Sequence, residues 1–323
     1  MTTVKKAVHI SGHGIHSGLP ANIVVRPSTK HGIFFRRVDM PNSKPIPATW
    51  DNVGETKMRN TTIGDPRGAH VQTIEHLMAA LFMCGIDSAI IDIDGPETPI
   101  LDGSAAEFYK QLSPNVASRN KMRRIIVRRP VTVYSREITR QLPVKLRIKL
   151  WLFNLVSRRK NDGFVSLAPA DGDVLDITAT LVYREPIIGA QTYNYKFTDT
   201  AAARQSFVKN MARARTFGKY SEWEYLKSHG MGRGASAENV IALNDAGDGT
   251  LNPTIWPDEF VRHKIIDIIG DMMTSGGFVV GKLTSYKGSH ALNNLVLKKL
   301  FSDRNNYDIV ESNKKTIGKR IKK

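Results

Sequence analysis

The run DEFVRHKIIDIIGDMMT, from Asp258 to Thr274, limits the fold more than any other stretch. Pro257 and Asp258 form a good helix start, and Gly276 and Gly277 a good stop. Phe260, Val261, Ile265, Ile266, Ile268, Ile269, Met272 and Met273 occupy most of the circumference, which predicts a helix buried on nearly every side. Yet His263, Asp267 and Asp271 recur at i, i+4 and i+8, one polar line along an apolar rod. Burying an imidazole and two carboxylates costs several kcal/mol unless something binds them, and a divalent cation does that well. His263 and Asp267 are therefore the first two candidate ligands.

A chain of 323 residues can bury a full core and has the length of about two domains. Cys84 is the single cysteine, which excludes an intramolecular disulfide and a thiolate-rich zinc site. Any metal is then held by His and carboxylate, the donor set of catalytic rather than structural zinc. No run of ~18 uncharged apolar residues predicts a membrane span, and the start, MTTVKK, lacks the apolar region of a secretory signal. The expectation is a cytoplasmic protein.

The net charge of +17 raises nucleic acid or anionic lipid as partners. Much of it lies in residues 119–129, 136–160 and the tail 314–323, away from the candidate ligands. A basic nucleic-acid-binding module with an inert core would hold no metal and bind with a steep salt dependence. The position of the charge argues against that reading: the charge runs read as a solvated face, with contact with an anionic membrane surface as the alternative.

Along the chain, residues 7–10, 21–26 and 32–38 read as strands, separated by the turn 11–18 (SGHGIHSG) and by Pro27-Ser28-Thr29. His13 and His16 lie in a glycine-rich turn with no helix to align them, so they read as histidines bonded to backbone rather than ligands. Residues 41–66 are rich in turn formers and read as an insertion beside a site. Thr73 then caps an amphipathic helix ended by Gly85, with Ile74, Leu77, Met78, Leu81 and Phe82 facing a core and Glu75 and His76 in its first turn. The helix N-terminus favours an anionic Glu75 and a neutral His76.

A strand at 86–94, a helix entered at 101–109 through Asp102 or Ser104 and a polar linker at 113–121 complete a first domain, 1–121. A second, 122–301, reads as strands at 124–134, 163–167, 174–181 and 192–197, a helix at 199–214, a polar and aromatic stretch at 215–236 and a strand at 239–243. The central helix follows, then a strand at 277–287 and a helix capped by Ser289 that carries His290 at its start. Residues 302–323 read as a basic, frayed tail. The similar element content suggests an ancient duplication, although no residue-level repeat is present. Residues 141–160 alternate apolar and basic side chains, as a strand or a membrane-adhering edge would.

Two histidines and an aspartate leave a fourth tetrahedral position for water, which zinc acidifies to a pKa of about 7. Glu75, next to His76, can act as general base. His290 beside Asp271 makes a carboxylate-oriented imidazolium, able to stabilise an oxyanion and protonate a leaving amine. Metal-assisted amide hydrolysis follows from these roles.

At these residues the chain resembles the zinc-dependent UDP-3-O-acyl-N-acetylglucosamine deacetylases of lipid A biosynthesis. The matching runs are 13–18 (HGIHSG), 73–81 (TIEHLMAAL), 99–106 (PILDGSAA), 213–218 (RARTFG), 260–271 (FVRHKIIDIIGD) and 288–294 (GSHALNN). The resemblance implies two α+β domains, each a small sheet with two helices, packed as a β-α-α-β sandwich with the site between them. It implies one Zn2+ per chain, with Fe2+ as the alternative, on His76, His263 and Asp267. Glu75 matches the general base, His290 with Asp271 the charged pair, and Thr216 the hydroxyl that polarises the acetyl carbonyl. Phe217 and Lys264 match contacts to the sugar and diphosphate of a UDP-sugar lipid. Residues 218–236, with Glu222 and Ala235, match the passage for the 3-hydroxyacyl chain. A monomer that binds no nucleic acid is implied. The chain departs from the family pattern at Glu222, where Asp is usual, in Gly234-Ala235-Ser236 for a more usual Gly-Gly-Ser, and in the length of residues 136–160.

Overall fold

The computed structural model describes residues 1–54, 60–117, 120–140, 162–228 and 230–311. The apolar-basic alternation at 141–160 lies outside the described residues.

Strand alternation builds the first layer. In β1 (Val8–His13), β2 (Pro20–Arg26) and β3 (Gly32–Arg37), the buried positions are Val8 and Ile10, then Ala21, Ile23 and Val25, then Ile33, Phe35 and Arg37. That is the period of two that puts successive side chains on opposite faces. Short strands β4 (Ile46–Pro47), β5 (Ile63–Gly64) and β6 (His70–Val71) lead to helix α1 (Glu75–Cys84) and strand β7 (Ser88–Ile93). β7 lies between β2, antiparallel, and β3, parallel, in the order β1-β2-β7-β3-β4. Helix α2 (Ala106–Leu112) buries Phe108 and Leu112.

The second sheet collects β8 (Arg124–Val127), β9 (Val131–Tyr134), β10 (Phe164–Ala168), β11 (Leu175–Val182) and β12 (Ala190–Phe197), with α3 (Ser135–Arg140) after β9. Helix α4 (Ala201–Asn210), strand β13 (Phe217–Lys219), helix α5 (Tyr220–Ser228) and strand β14 (Ile241–Leu243) precede α6 (Glu259–Met273). Then come β15 (Phe278–Tyr286), α7 (His290–Phe301) and β16 (Tyr307–Val310). β15 is the spine. Its first half pairs parallel with β8, its second half antiparallel with β10, and it runs parallel to β11. The path is β12-β11-β15-β10-β9, with β16 joined antiparallel to β8.

α6 is buried almost throughout, as its apolar circumference predicts. It crosses α1 at Gly270, where a Cβ would lie 2.0 Å from the Glu75 carbonyl oxygen. Only a residue without a side chain allows backbone to approach backbone so closely.

Several expectations are corrected. Thr73 does not cap α1: its φ is 61°, and its hydroxyl lies between Asn60 and Glu97. α1 is buried on all sides, Glu75 and His76 included, so it is not amphipathic. Asp258 occupies the position before α6, but its carboxylate pairs with Arg262 rather than capping. The single strand expected at 124–134 is two, β8 and β9, because Pro130 lies between and cannot donate to a ladder. The helix expected at 199–214 is the shorter α4, capped by the Thr200 hydroxyl. α5 emerges from the polar stretch 215–236 without an apolar period, since only Trp223 of its described side chains is buried. The expected frayed tail contains β16.

Candidate metal and catalytic centre

The crossing of α1 and α6 brings Glu75 and His76 against His263, Asp267 and Asp271, all buried. Ligand-type atoms of His76, His263 and Asp267 all lie within 4.8 Å of one another. Asp267 Oδ1 is 3.3 Å from His263 Nε2 and 3.6 Å from His76 Nε2.

The chemistry of these donors fits a cation. His263 Nδ1 donates to the Ala214 carbonyl at 3.0 Å, so its Nε2 carries the lone pair. Burial, opposed by Asp267, pushes the His263 pKa down to about 4, so the ring is neutral. Asp267 is buried too, which by itself would raise its pKa. The charges of Lys264 and His290 outweigh that and hold it well below the usual carboxylate range. A lone pair and an anionic oxygen thus face one another, and Oδ1 has no hydrogen-bond donor among the described residues. His76 Nδ1 is likewise buried without a partner among them. The His263 Nε2 lone pair and Asp267 Oδ1, 3.3 Å apart with His76 Nε2 beside them, call for a positive charge between them.

Asp267 Oδ2 takes an ion pair from Lys264 Nζ at 2.5 Å. Burial disfavours that ammonium, but Asp267 more than compensates and raises its pKa to about 12.

Behind Asp267 lies a second pair. His290, at the start of α7, places Nδ1 2.8 Å from Asp271 Oδ2 and Nε2 3.7 Å from Asp267 Oδ2. Burial lowers the pKa of the imidazolium. The charge and hydrogen bond of Asp271, with Asp267 and Glu75 behind, reverse this and lift it to about 9. The Glu75 carboxyl is raised, chiefly by burial.

Two further residues belong to this cluster and escaped the sequence reading. The Thr61 hydroxyl donates to Asp271 Oδ1 at 2.5 Å, and its backbone N–H to Glu75 Oε2 at 3.0 Å. Asn293 Nδ2 donates to Asp271 Oδ2 at 2.8 Å. Asn293 follows His290 by three positions on one helix face, a spacing that could have exposed it.

Of the remaining sequence candidates, Phe217 reaches the centre through the His263 ring, and the half-buried Thr216 directly precedes it. The Thr216 N–H donates to the Gly103 carbonyl and its carbonyl accepts from Ile241. Gly103, with φ 79°, has no room for a side chain, since a Cβ would lie 1.7 Å from the Asn239 carbonyl oxygen. The Phe217 ring stands edge-on to Phe260 at 5.0 Å and to His263 at 6.3 Å. Glu222 lies on the half-buried side of α5, and Ala235 packs against the cluster of Trp223, Val240 and Ala242. Ile15 joins that cluster from the turn 13–18. The turn is held by Glu97, which accepts from the backbone N–H groups of His16 and Ser17. It bonds in turn to the Arg233 and Gly234 N–H groups through its carbonyls. His13 lies 3.3 Å from the Gly234 carbonyl, a histidine bonded to backbone as its setting predicts.

With this geometry in view, the comparison with known proteins is decisive: the profile of the UDP-3-O-acyl N-acetylglycosamine deacetylase family matches residues 1–302. The chain belongs to this family. Three relatives bear the name UDP-3-O-acyl-N-acetylglucosamine deacetylase. That of Geotalea uraniireducens is 37% identical over 314 residues, 96% of this chain and 91% of the relative. That of Myxococcus xanthus is 36% identical over 319 residues, 98% and 90%. That of a Nitratiruptor species is 36% identical over 317 residues, 97% and 94%. The deacetylase family profile therefore takes in the first sheet, the second sheet except β16, and every residue of the buried cluster. No helix among the described residues is long and apolar enough to cross a membrane.

Proposed function

We propose that this protein is a metal-dependent amide hydrolase of lipid A biosynthesis. It removes acetate from a UDP-3-O-[(3R)-3-hydroxyacyl]-N-acetylglucosamine and leaves UDP-3-O-acyl-glucosamine with a free 2-amine, the committed step. The observation that carries this is the convergence of His76, His263 and Asp267 on one buried spot, flanked by Glu75 and by the Asp271–His290 pair.

In this reading His76, His263 and Asp267 hold one Zn2+ per chain, with Fe2+ as the alternative. A divalent ion at such a site polarises a carbonyl and yields a nucleophile at neutral pH. The protein's own groups do the rest. Glu75, its carboxyl raised by burial, takes a proton from the attacking water. Protonated His290, kept charged by Asp271, stabilises the oxyanion that forms as water adds to the acetyl carbon. The Thr216 hydroxyl polarises the same carbonyl. As the C–N bond breaks, a proton from His290 or Glu75 reaches the amine, and acetate leaves. Phe217 and Lys264 meet the sugar and diphosphate, while Glu222 and Ala235 border the acyl passage.

The same reading takes residues 1–121 and 122–301 as two α+β domains in a β-α-α-β sandwich. The two separate sheets and the close α1–α6 crossing support it. Residues 302–323 form a basic tail whose first part is tied to the second sheet by β16. The protein acts in the cytoplasm as a monomer, on a lipid rather than a nucleic acid. Residues 141–161 and 312–323 hold twelve Lys and Arg and no acidic residue, which suits contact with an anionic membrane surface.

The test is acetate release from UDP-3-O-acyl-N-acetylglucosamine by metal-loaded protein. Release that stops with a chelator and returns with Zn2+ is expected. No release by protein that carries its metal would refute the reading.

A further inference from the structure

Among the described residues, Thr61 is the one bonded to both catalytic carboxylate systems. Its N–H donates to Glu75 Oε2 at 3.0 Å and its hydroxyl to Asp271 Oδ1 at 2.5 Å, with Oγ1 3.2 Å from His290 Nδ1. Glu75 belongs to α1, Asp271 to α6 and His290 to α7, so one buried residue, through its N–H and its hydroxyl, spans three elements. Its own backbone is fixed, because its carbonyl accepts from the Ile74 N–H at the start of α1. Its neighbours are tied as well: Asn60 donates to the Thr73 hydroxyl, and the Thr62 carbonyl accepts from Gly54.

The protons on this side chain are determined. An ionised carboxylate only accepts, so the single hydroxyl hydrogen of Thr61 goes to Asp271. Its oxygen then presents lone pairs to His290 Nδ1, which therefore carries its hydrogen toward Asp271 and Thr61 together. With Asn293 on Oδ2, Asp271 accepts from three side chains and cannot turn away from His290. His290 Nε2 is left to face Asp267 and the centre.

We propose that Thr61 is a positioning residue for the reaction, one hydroxyl that locks the Asp271–His290 pair while the adjoining N–H fixes Glu75. It touches neither substrate nor metal in this scheme. The assignment rests on the deacetylase reading for its kinetic test, and on none of it for its spectroscopic one.

Thr61→Val keeps shape and backbone N–H but removes the hydroxyl, and Thr61→Ser restores it. Loss of a hydrogen bond to a charged group that matters in the transition state corresponds to a fall of about 10- to 100-fold in kcat. The expected result is that fall in Thr61→Val, with KM for UDP-3-O-acyl-N-acetylglucosamine and metal content unchanged within about twofold. Thr61→Ser should recover kcat to within about threefold of wild type. A Thr61→Val enzyme with wild-type kcat, or a Thr61→Ser enzyme as slow as Thr61→Val, would overturn the assignment. Thr61→Ala replaces Thr61→Val if the latter does not fold. Wild-type protein, without substrate, gives an independent reading by NMR. The Thr61 hydroxyl proton should exchange slowly and show a cross-relaxation contact to the His290 Nδ1 hydrogen, whereas a hydroxyl in fast exchange with water overturns it. These signals persist even if wild type releases no acetate, so the two readings fail separately.

Discussion

Residue 270 has no side chain, and a methyl group there would sit 2.0 Å from the carbonyl oxygen of Glu75. The centre depends on this contact, because it sets how closely α1 brings Glu75 and His76 to Asp267 and Asp271. Gly270→Ala forces the helices apart. Overpacking of this kind costs about 1–3 kcal/mol, and separation of the ligands should also lower metal content well below one per chain. Urea unfolding with metal analysis on the same samples checks this. An alanine variant with wild-type stability and full metal would show that the crossing has slack.

Metal should behave as a ligand of the folded state alone. At a free concentration of ~1,000 times its Kd, one site stabilises by about 4 kcal/mol. Thermal unfolding of metal-free wild type should therefore shift upward on adding Zn2+. In His263→Ala or Asp267→Ala the shift should disappear. The midpoint of unfolding against zinc concentration measures this.

The Asp271–His290 pair gives a pH dependence with a definite sign. The folded pKa of His290, about 9, is above its unfolded value of about 6.5. The group binds more protons folded than unfolded between those values, so its stabilising contribution is full below pH ~6.5 and is lost as pH rises through about 9. Activity that needs the imidazolium should fall on the same alkaline limb. Asp271→Asn should move the limb of kcat/KM to lower pH, and an unmoved limb would assign it to another group.

Glu97 should affect the acyl passage from a distance. Its carboxylate takes the N–H groups of His16 and Ser17 and the Ser17 hydroxyl, at 2.7–2.9 Å. That turn supports Arg233 and Gly234. Glu97→Gln presents an NH2 group to donors and should cost about 1.5–3 kcal/mol of stability. KM for a long-chain substrate should rise while that for a short-chain analogue stays level, as steady-state kinetics on both will show.

α6 was legible because its signal is local: an apolar rod with polar residues four apart has few other uses. His290 and the strands of the first sheet were legible for similar reasons, a cap and an alternation. Thr61 was not, since it lies in a turn-rich stretch and its partners Asp271 and His290 are 210 and 229 positions away. Thr73 looked like a cap until tertiary bonds to Asn60 and Glu97 claimed its hydroxyl. α5 gave no period because its described surface is mostly half-buried or exposed. Local pattern thus picked out the candidate ligands and the proposed base, whereas the groups that hold them are defined only by the fold.

The most direct measurement is anomalous X-ray diffraction at the zinc edge on crystals of the zinc-loaded protein. A single peak bonded by His76, His263 and Asp267, with the Glu75 carboxylate and His290 beside it, is the result expected here. A peak elsewhere, or those three side chains intact around no metal in a protein that still releases acetate, would contradict the account.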